Sequence, residues 1–200
     1  MKNSTNITKY KLLSYIYDLF FRNLFIKARH AAFSTFNIKN NKKVLLVGVG
    51  TGEDLKFIPD DCSIIGIDIS ESMLLQAIKK AQGKNAEFHI MNAESLKFLD
   101  DTFDYVIFNL VLSVVESPRK AMLEGIRVLK SDGKVLVFDK FISGDNISLI
   151  RKFLNVLTSL VGTDINRRFE DIVRDMPVRI IKENDSMFKG SYKIIQLEKV

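Results

Sequence analysis

The stretch Val44-Leu45-Leu46-Val47-Gly48-Val49-Gly50-Thr51-Gly52-Glu53-Asp54-Leu55 decides the fold. It begins as an apolar run typical of a buried parallel strand and then places a glycine at every second position. Glycines at this spacing let the chain turn sharply out of a strand and let a ligand lie directly on the backbone. A second strand-like run, residues 64–68, ends in the carboxylate of Asp68. A glycine-rich loop after one strand and an acid at the tip of the next predict a nucleoside site, with Asp68 on the ribose hydroxyls.

Two nucleoside ligands compete for this loop. A dinucleotide site has the pattern G-x-G-x-x-G and places a pyrophosphate at the N-terminus of the following helix. Here the pattern is G-x-G-x-G, and Glu53 and Asp54 stand where two carboxylates would repel that pyrophosphate. S-adenosylmethionine carries a sulfonium and an ammonium group and no phosphate, so it is the expected ligand. A tight turn that binds nothing is the remaining alternative, because a single glycine-rich loop is a weak signal.

Length and composition suit one globular domain. The chain has 200 residues, of which 46% are hydrophobic and 27% charged. No apolar run approaches the roughly 20 residues of a membrane span, and the polar first residues do not resemble a signal peptide. The one cysteine excludes an internal disulfide, and the two histidines have no metal-ligand spacing, so no metal is expected. These features predict a cytoplasmic protein.

The N-terminal segment differs from the rest in charge. Residues 1–43 hold nine Lys or Arg and one acid, a net charge of +8, whereas the remaining residues carry −2 of the total of +6. The same segment holds eight of the 20 aromatic residues, and residues 9–36 have the periodicity of amphipathic helices. We therefore divide the chain into a helical segment, 1–41, and a nucleotide-binding domain, 42–200. Basic and aromatic residues together predict an anionic partner, such as the inner face of a membrane that the protein would bind peripherally.

Strand and helix patterns alternate along the second part, which predicts an α/β fold with a doubly wound, mostly parallel sheet. The predicted strands are 43–48, 63–68, 86–91, 103–109 and 134–139, and the predicted helices are 52–58, 71–81 and 118–129. The C-terminal part predicts an apolar helix at 146–160, a charged segment at 162–175 and an antiparallel pair of strands at 178–184 and 190–198.

Five motifs in this order resemble those of class I S-adenosylmethionine-dependent methyltransferases. They are Val47–Gly52, Gly66–Ser70 with Met73, Asn92–Glu94, Phe103–Asn109 and Arg127–Lys134. The resemblance implies a Rossmann-like sheet of seven strands with an antiparallel last strand, and S-adenosylmethionine as cofactor. The implied cofactor-binding residues are Val47, Gly48, Val49, Gly50, Gly52, Asp68, Ile69, Met73, Asn92, Ala93, Glu94 and Asn109.

The resemblance also implies which part of S-adenosylmethionine each of these residues contacts. The glycine loop holds the methionine part, Ile69 and Met73 flank the adenine, and Ala93 offers its amide to the ring. Many family members have aspartate where Asn92 stands. The amide oxygen of Asn92 can still accept a hydrogen bond from the adenine amino group, but without the help of a charge.

The run after the fourth strand argues against a nucleic-acid substrate. Methyltransferases of this fold that act on nucleobase amines have a motif of Asn or Asp, two prolines and an aromatic residue at this place. Here the run is Asn109-Leu110-Val111-Leu112. Methylation of cytosine C5 needs a thiolate, and Cys62 precedes the second strand, away from the carboxyl ends. No nucleic-acid partner is expected.

Within the class, the chain resembles bacterial phosphatidylethanolamine N-methyltransferases in four short segments. These are Tyr15–Leu19, Gly48–Gly52, Phe138–Phe141 and Gly162–Phe169. The resemblance implies N-methylation of a phospholipid amine at a membrane surface. A soluble small molecule or a quinone-type acceptor is the alternative, and a catalytically inactive S-adenosylmethionine-binding protein is a third.

Five residues are candidates for the acceptor side, each with a structural alternative. Asp139 is expected at the crevice beyond the strand ends, where it orients or deprotonates an amine, or else caps a turn. Tyr15 and Tyr17 close the pocket on a methylated cation, or pack as helix core. Arg167 and Arg168 grip a lipid phosphate, or form a solvated charge pair.

Overall fold

A computed structural model of the chain describes residues 25–141, 167–187 and 190–200. Residues 25–36 are helical and are called α1. The strands are β1 (Lys43–Val47), β2 (Ser63–Asp68), β3 (Ala86–Ile90), β4 (Phe103–Asn109), β5 (Leu129–Lys140), β6 (Val178–Asp185) and β7 (Tyr192–Lys199). The other helices are a 3-10 helix (Leu55–Phe57), α2 (Glu71–Lys80), α3 (Pro118–Val128) and α4 (Phe169–Val173).

The seven strands form one sheet in the order β3-β2-β1-β4-β5-β7-β6. Strands β1 to β5 pair in parallel, and β7 lies antiparallel between β5 and β6. This confirms the predicted α/β class, the seven strands and the reversed last strand. The strand order reverses direction between β1 and β4, and ligands of open α/β sheets bind beyond the carboxyl ends of the strands at that point.

Helices cover both faces of the sheet. Alternate residues of a strand point to opposite faces, so each central strand contributes to two cores. On one face, Leu45 and Val47 belong to a core that includes residues of α3 and α4. On the other face, Val44 and Leu46 belong to a core that includes residues of α1 and α2. The buried residues of α1 are Phe25, Ala28, Ala32, Phe33 and Phe36. Residues 25–36 therefore share a core with β1, and the domain boundary at residue 41 stays a prediction.

Three predicted elements differ in the structure. The helix expected at 52–58 is only a short 3-10 helix, Leu55–Phe57, and it cannot begin at Gly52, whose positive φ angle is not helical. The strand expected at 134–139 begins earlier, because β5 starts at Leu129 and continues through a kink at Asp132, where φ is 60° and the pairing with β4 shifts. The charged segment 162–175 contains the unpredicted helix α4.

The predicted apolar helix 146–160 lies outside the described residues. No helix in the described ranges is long and apolar enough to cross a membrane.

Candidate active site

The glycine loop leaves β1 through three left-handed residues. The φ angles are +64° at Gly48, +55° at Gly50 and +79° at Gly52. A Cβ at Gly48 would lie 2.6 Å from a methyl of Val111, and one at Gly52 would lie 3.0 Å from the Cα of Ala77. A Cβ at Gly50 would meet nothing closer than the Gly48 carbonyl at 4.0 Å. Two of the glycines are therefore fixed by packing, and Gly50 leaves open backbone on which a ligand can lie.

Asp68 stands at the tip of β2, beside this loop. One carboxylate oxygen accepts the backbone N–H of Gly50 at 2.9 Å, and the other accepts that of Ser70 at 2.9 Å. Burial raises the pKa of Asp68, although the N–H groups of Ser70, Gly50 and Ile69 act in the opposite direction. A carboxylate has about four acceptor positions, so about two remain for the hydroxyls of a ribose.

The predicted adenine-side residues follow β2 and β3, which are neighbours in the sheet. Ile69 is 43% exposed and Ala93 is buried, while Met73 is half-buried. The amide oxygen of Asn92 accepts the backbone N–H of Glu94 at 2.9 Å, which leaves one acceptor position for an amino group. The carboxylate of Glu94 accepts the backbone N–H of Ser117, so it holds the N-terminus of α3. The structure thus gives Glu94 a structural contact, and its contact with a cofactor stays a prediction.

Two buried valines complete the predicted loop set. Val47 lies in one core and Val49 in the other, so their side chains serve packing. The N–H of Val49 donates to the carbonyl of Ile67 at 2.9 Å, which bonds the start of the loop to β2.

A buried ionic contact that sequence reasoning missed lies under the loop. Asp54, only 5% exposed, forms an ion pair with Arg29 of α1 and accepts the amide N–H of Asn109 at 2.9 Å. The amide oxygen of Asn109 is buried and has no hydrogen-bond partner in the described part of the chain. Because α1 and the loop are 25 residues apart, only the folded chain reveals the pair.

Ion pairs reduce the repulsion that the two loop carboxylates were expected to exert on a pyrophosphate. Glu53 pairs with Lys80 at 2.5 Å, and Asp54 pairs with Arg29, so both loop carboxylates have a cationic partner. Their repulsion of a pyrophosphate is weaker than two unpaired charges would give. The orphaned oxygen of Asn109 and the open backbone at Gly50 instead fit a ligand that brings N–H donors, as the ammonium group of S-adenosylmethionine does.

Two of the acceptor-side candidates, Asp139 and Arg167, hold the loop after β4. Asp139 is 0% exposed, and its carboxylate accepts the backbone N–H groups of Ser113 at 3.0 Å and Lys140 at 2.7 Å. Burial raises its pKa. Arg167 donates to the carbonyl oxygens of Leu112 and Val115 in the same loop. These contacts match the turn-capping alternative for Asp139 and give Arg167 a structural contact.

Proton transfer by Asp139 and phosphate binding by Arg167 stay predictions, as does phosphate binding by Arg168, which is exposed just before α4. Tyr15 and Tyr17 lie outside the described residues.

Comparisons with known proteins agree with this geometry. Residues 45–137 match the methyltransferase domain family. A phosphatidylethanolamine N-methyltransferase of Cereibacter sphaeroides is 26% identical over 189 residues, covering 92% of this chain and 93% of that protein. The uncharacterized methyltransferase YcgJ of Bacillus subtilis is 35% identical over 130 residues, covering 63% and 51%. The ubiquinone/menaquinone biosynthesis C-methyltransferase UbiE of Rickettsia peacockii is 36% identical over 110 residues, covering 50% and 44%.

The first of these relatives is matched over nearly its whole length, whereas the chain spans about half the length of the other two. Among solved structures, YcgJ of Bacillus subtilis has a TM-score of 0.72 at 20% identity, covering 86% of this chain and 98% of that one. A geranyl diphosphate methyltransferase in complex with SAM has a TM-score of 0.74 at 13% identity, covering 88% and 85%. These likenesses show the fold.

The domain match and the sheet order, with its glycine loop and reversed last strand, define a class. The chain carries a methyltransferase domain at residues 45–137 and is an S-adenosylmethionine-dependent methyltransferase. S-adenosylmethionine is its methyl donor, and its acceptor is a small molecule.

Proposed function

We propose that the protein transfers a methyl group from S-adenosylmethionine to the amine of a phospholipid head group of the phosphatidylethanolamine type. The observation that carries the proposal is the length of one match. The phosphatidylethanolamine N-methyltransferase aligns with 92% of this chain, well beyond residues 45–137 on both sides. The acceptor side of a methyltransferase lies outside the common sheet, so a likeness that includes the flanking segments bears on the acceptor.

The charge distribution supports a membrane as the place of reaction. Residues 1–43 carry +8 beside a body that carries −2. A Lys or Arg near an anionic surface contributes about 1 kcal/mol to binding, so several together support reversible docking. In the described part of this segment, Lys27 is exposed on α1. We infer that the segment brings the protein to the bilayer, where the amine reaches the crevice.

Methyl transfer depends mainly on the alignment of donor and acceptor rather than on a strong acid or base. S-adenosylmethionine supplies an electrophilic methyl group on a sulfonium, and the protein has to align the acceptor in line with it and exclude water. The acceptor amine must be neutral to attack. The loop from Leu110 to Glu116 starts at the tip of β4, and Asp139 and Arg167 bind its backbone from two other segments. These contacts fix the backbone of the loop, so that an acceptor can be held against it.

A quinone-type acceptor is the second candidate. The UbiE relative is more similar in its matched part, 36% against 26%, but that part is half of this chain. A match of 110 residues is too short to extend over both flanking segments as well as residues 45–137. The higher identity thus favours a shared cofactor site and does not bear on the acceptor.

The two candidates differ in where a labelled methyl group appears. The protein is incubated with methyl-labelled S-adenosylmethionine and anionic vesicles that contain either phosphatidylethanolamine or phosphatidylcholine, whose amine has no free position. Separate vesicles carry a polyprenyl hydroquinone, and a further sample contains only water-soluble amines. We expect label in the N-methylated lipid of the phosphatidylethanolamine vesicles alone. Label in the quinone ring or in a soluble amine would refute the proposal.

A further inference from the structure

We propose that Asp54 and Arg29 are positioning residues that aim the amide oxygen of Asn109 at the ammonium group of S-adenosylmethionine. The inference concerns the cofactor and does not depend on which acceptor is methylated. If this inference fails, the proposed function still stands. If the proposed function fails, this inference still stands.

The orientation of the Asn109 amide follows from its neighbour. A carboxylate can only accept hydrogen bonds, so Asp54, at 2.9 Å, must face the NH₂ end of the amide. The oxygen then points the other way, where it is buried without a donor in the described part of the chain. Leaving a buried acceptor unpaired is unfavourable, and native structures rarely do so without a reason. A ligand that brings an N–H donor would remove the penalty.

The place of Asn109 selects the part of the ligand. Asn109 ends β4, next to β1, which leads into the glycine loop. Asp68, at the tip of β2 on the other side of β1, is expected to mark the ribose end. The non-ribose end of the cofactor therefore points towards β4. Its ammonium group is an N–H donor, which an amide oxygen accepts. Because the oxygen is closed to water, we expect a small shift of neighbouring side chains when the ligand enters.

Arg29 connects this arrangement to α1. Asp54 is nearly buried, where an unpaired charge is unfavourable, and the guanidinium of Arg29 forms an ion pair with it. The side chain of Arg29 is itself only 15% exposed. Packing of α1 on the sheet therefore places a positive charge beside Asp54, and Asp54 in turn holds the Asn109 amide in one orientation. In this account α1 is part of the cofactor site as well as of the core.

A pair of ligands separates positioning from plain stability. S-adenosylmethionine has the ammonium group, whereas 5′-methylthioadenosine keeps the nucleoside and lacks the whole amino-acid part. In Asp54→Asn, the new amide can donate as well as accept, so Asn109 no longer has one preferred orientation. By calorimetry, we expect the Kd of S-adenosylmethionine to rise about tenfold, a loss of about 1.4 kcal/mol, and that of methylthioadenosine to stay within about twofold. An equal loss for both ligands, or no loss for either, would overturn the proposal.

Further variants keep the test decisive if Asp54→Asn folds poorly. Arg29→Met should weaken S-adenosylmethionine selectively, and Arg29→Lys should restore most of the affinity. Lys84→Met is the matched control, because it removes another ion pair with a largely buried lysine, to Asp60, and should change neither Kd. Asn109→Ala combined with Arg29→Met should bind S-adenosylmethionine no worse than Asn109→Ala alone. Additive losses would mean that Arg29 acts by another route and would refute the proposal.

Discussion

The carboxylate of Asp68 accepts the backbone N–H of Gly50 across 18 residues of sequence, at 2.9 Å. This bond ties the tip of β2 to the middle of the glycine loop. The second carboxylate oxygen of Asp68 accepts the N–H of Ser70, the residue before α2. One side chain thus fixes three features of the crevice: the strand end, the loop and the start of the helix.

The glycines of this loop have different tasks, which a pair of substitutions separates. Alanine in place of Gly50 or Gly52 is strained by about 1 to 2 kcal/mol, because both residues have positive φ angles. At Gly50 the new methyl meets no other atom, so we expect a modest loss of stability but at least a tenfold weaker binding of S-adenosylmethionine. At Gly52 it meets Leu55 at 2.8 Å and the backbone of Ala77 at 3.0 Å, so we expect a larger loss of stability.

Urea denaturation and calorimetry on both variants check this contrast. We expect Gly52→Ala to be the less stable protein, whereas the loss in Gly50→Ala should not exceed the strain of about 1 to 2 kcal/mol. If Gly50→Ala binds S-adenosylmethionine as the native protein does, the cofactor does not lie on this backbone.

Asp139→Asn distinguishes the two tasks considered for this carboxylate. The N–H groups of Ser113 and Lys140 bond to different oxygens of Asp139, and asparagine replaces one of these oxygens by an NH₂ group, so one N–H loses its acceptor. We expect a loss of about 1 to 2 kcal/mol in unfolding free energy, with a kcat within about threefold of the native value and an unchanged pH profile. General bases contribute about a hundredfold or more to rate. A drop of that size in a fully stable variant would instead make Asp139 the base.

Glu124 and Arg127 hold the loop that follows β3, and their contact predicts a pH dependence. Glu124 accepts the backbone N–H of Leu96 at 2.7 Å, and hydrogen bonds from Arg127 lower the pKa of Glu124 below its ordinary value of 4.5, against the effect of burial. A lowered pKa means that the folded state favours the charged carboxylate. This stabilisation is therefore complete above about pH 4.5 and is lost as the pH falls through the lower pKa of the folded state.

Glu124→Gln should accordingly be less stable than the native protein by about 0.5 to 1 kcal/mol at neutral pH, the usual range for a partly exposed ion pair. The difference should shrink as the pH falls below 4.5. Urea denaturation at a series of pH values measures it, and Glu71→Gln, an exposed acid at the start of α2, is the control for loss of a charge. A difference that grows as the pH falls would show that the sign is wrong.

Membrane docking predicts a dependence on salt and lipid charge. Attraction to an anionic surface fades over a Debye length of about 8 Å at physiological salt. Co-sedimentation with anionic vesicles should therefore weaken as salt is added. It should also drop when Lys9, Lys11, Arg22 and Lys27 are changed to Gln. The control changes four exposed lysines of the body, Lys79, Lys97, Lys120 and Lys182, in the same way. Equal losses in both sets, or protein that stays in the supernatant at low salt, would favour a soluble acceptor.

The sheet could be predicted from the sequence because its signals are local. Apolar runs bounded by turn residues placed β2 at 63–68 and β4 at 103–109, as the structure has them. The glycine loop and Asp68 could be predicted to meet, since both follow neighbouring parallel strands. Five residues of α4 were missed, because so short a helix has almost no periodicity to detect.

The side-chain contacts of the site were not predictable, because they join distant segments. Arg29 reaches Asp54 only when α1 packs on the sheet, and its sequence position shows nothing but a basic residue on a helix. Arg167 contacts carbonyl groups more than 50 residues away, at Leu112 and Val115. Every residue has a backbone carbonyl, so no sequence pattern identifies the one that a guanidinium will contact.

The most direct test of the whole account is a calorimetric titration of the native protein and of Asp68→Ala with S-adenosylmethionine and with a nicotinamide dinucleotide. The account predicts that the native protein binds S-adenosylmethionine and not the dinucleotide. It also predicts that Asp68→Ala, which loses the acceptor for the ribose hydroxyls, binds S-adenosylmethionine at least tenfold more weakly, a change of about 1.4 kcal/mol or more. Unchanged affinity in the variant, or a preference of the native protein for the dinucleotide, would contradict it.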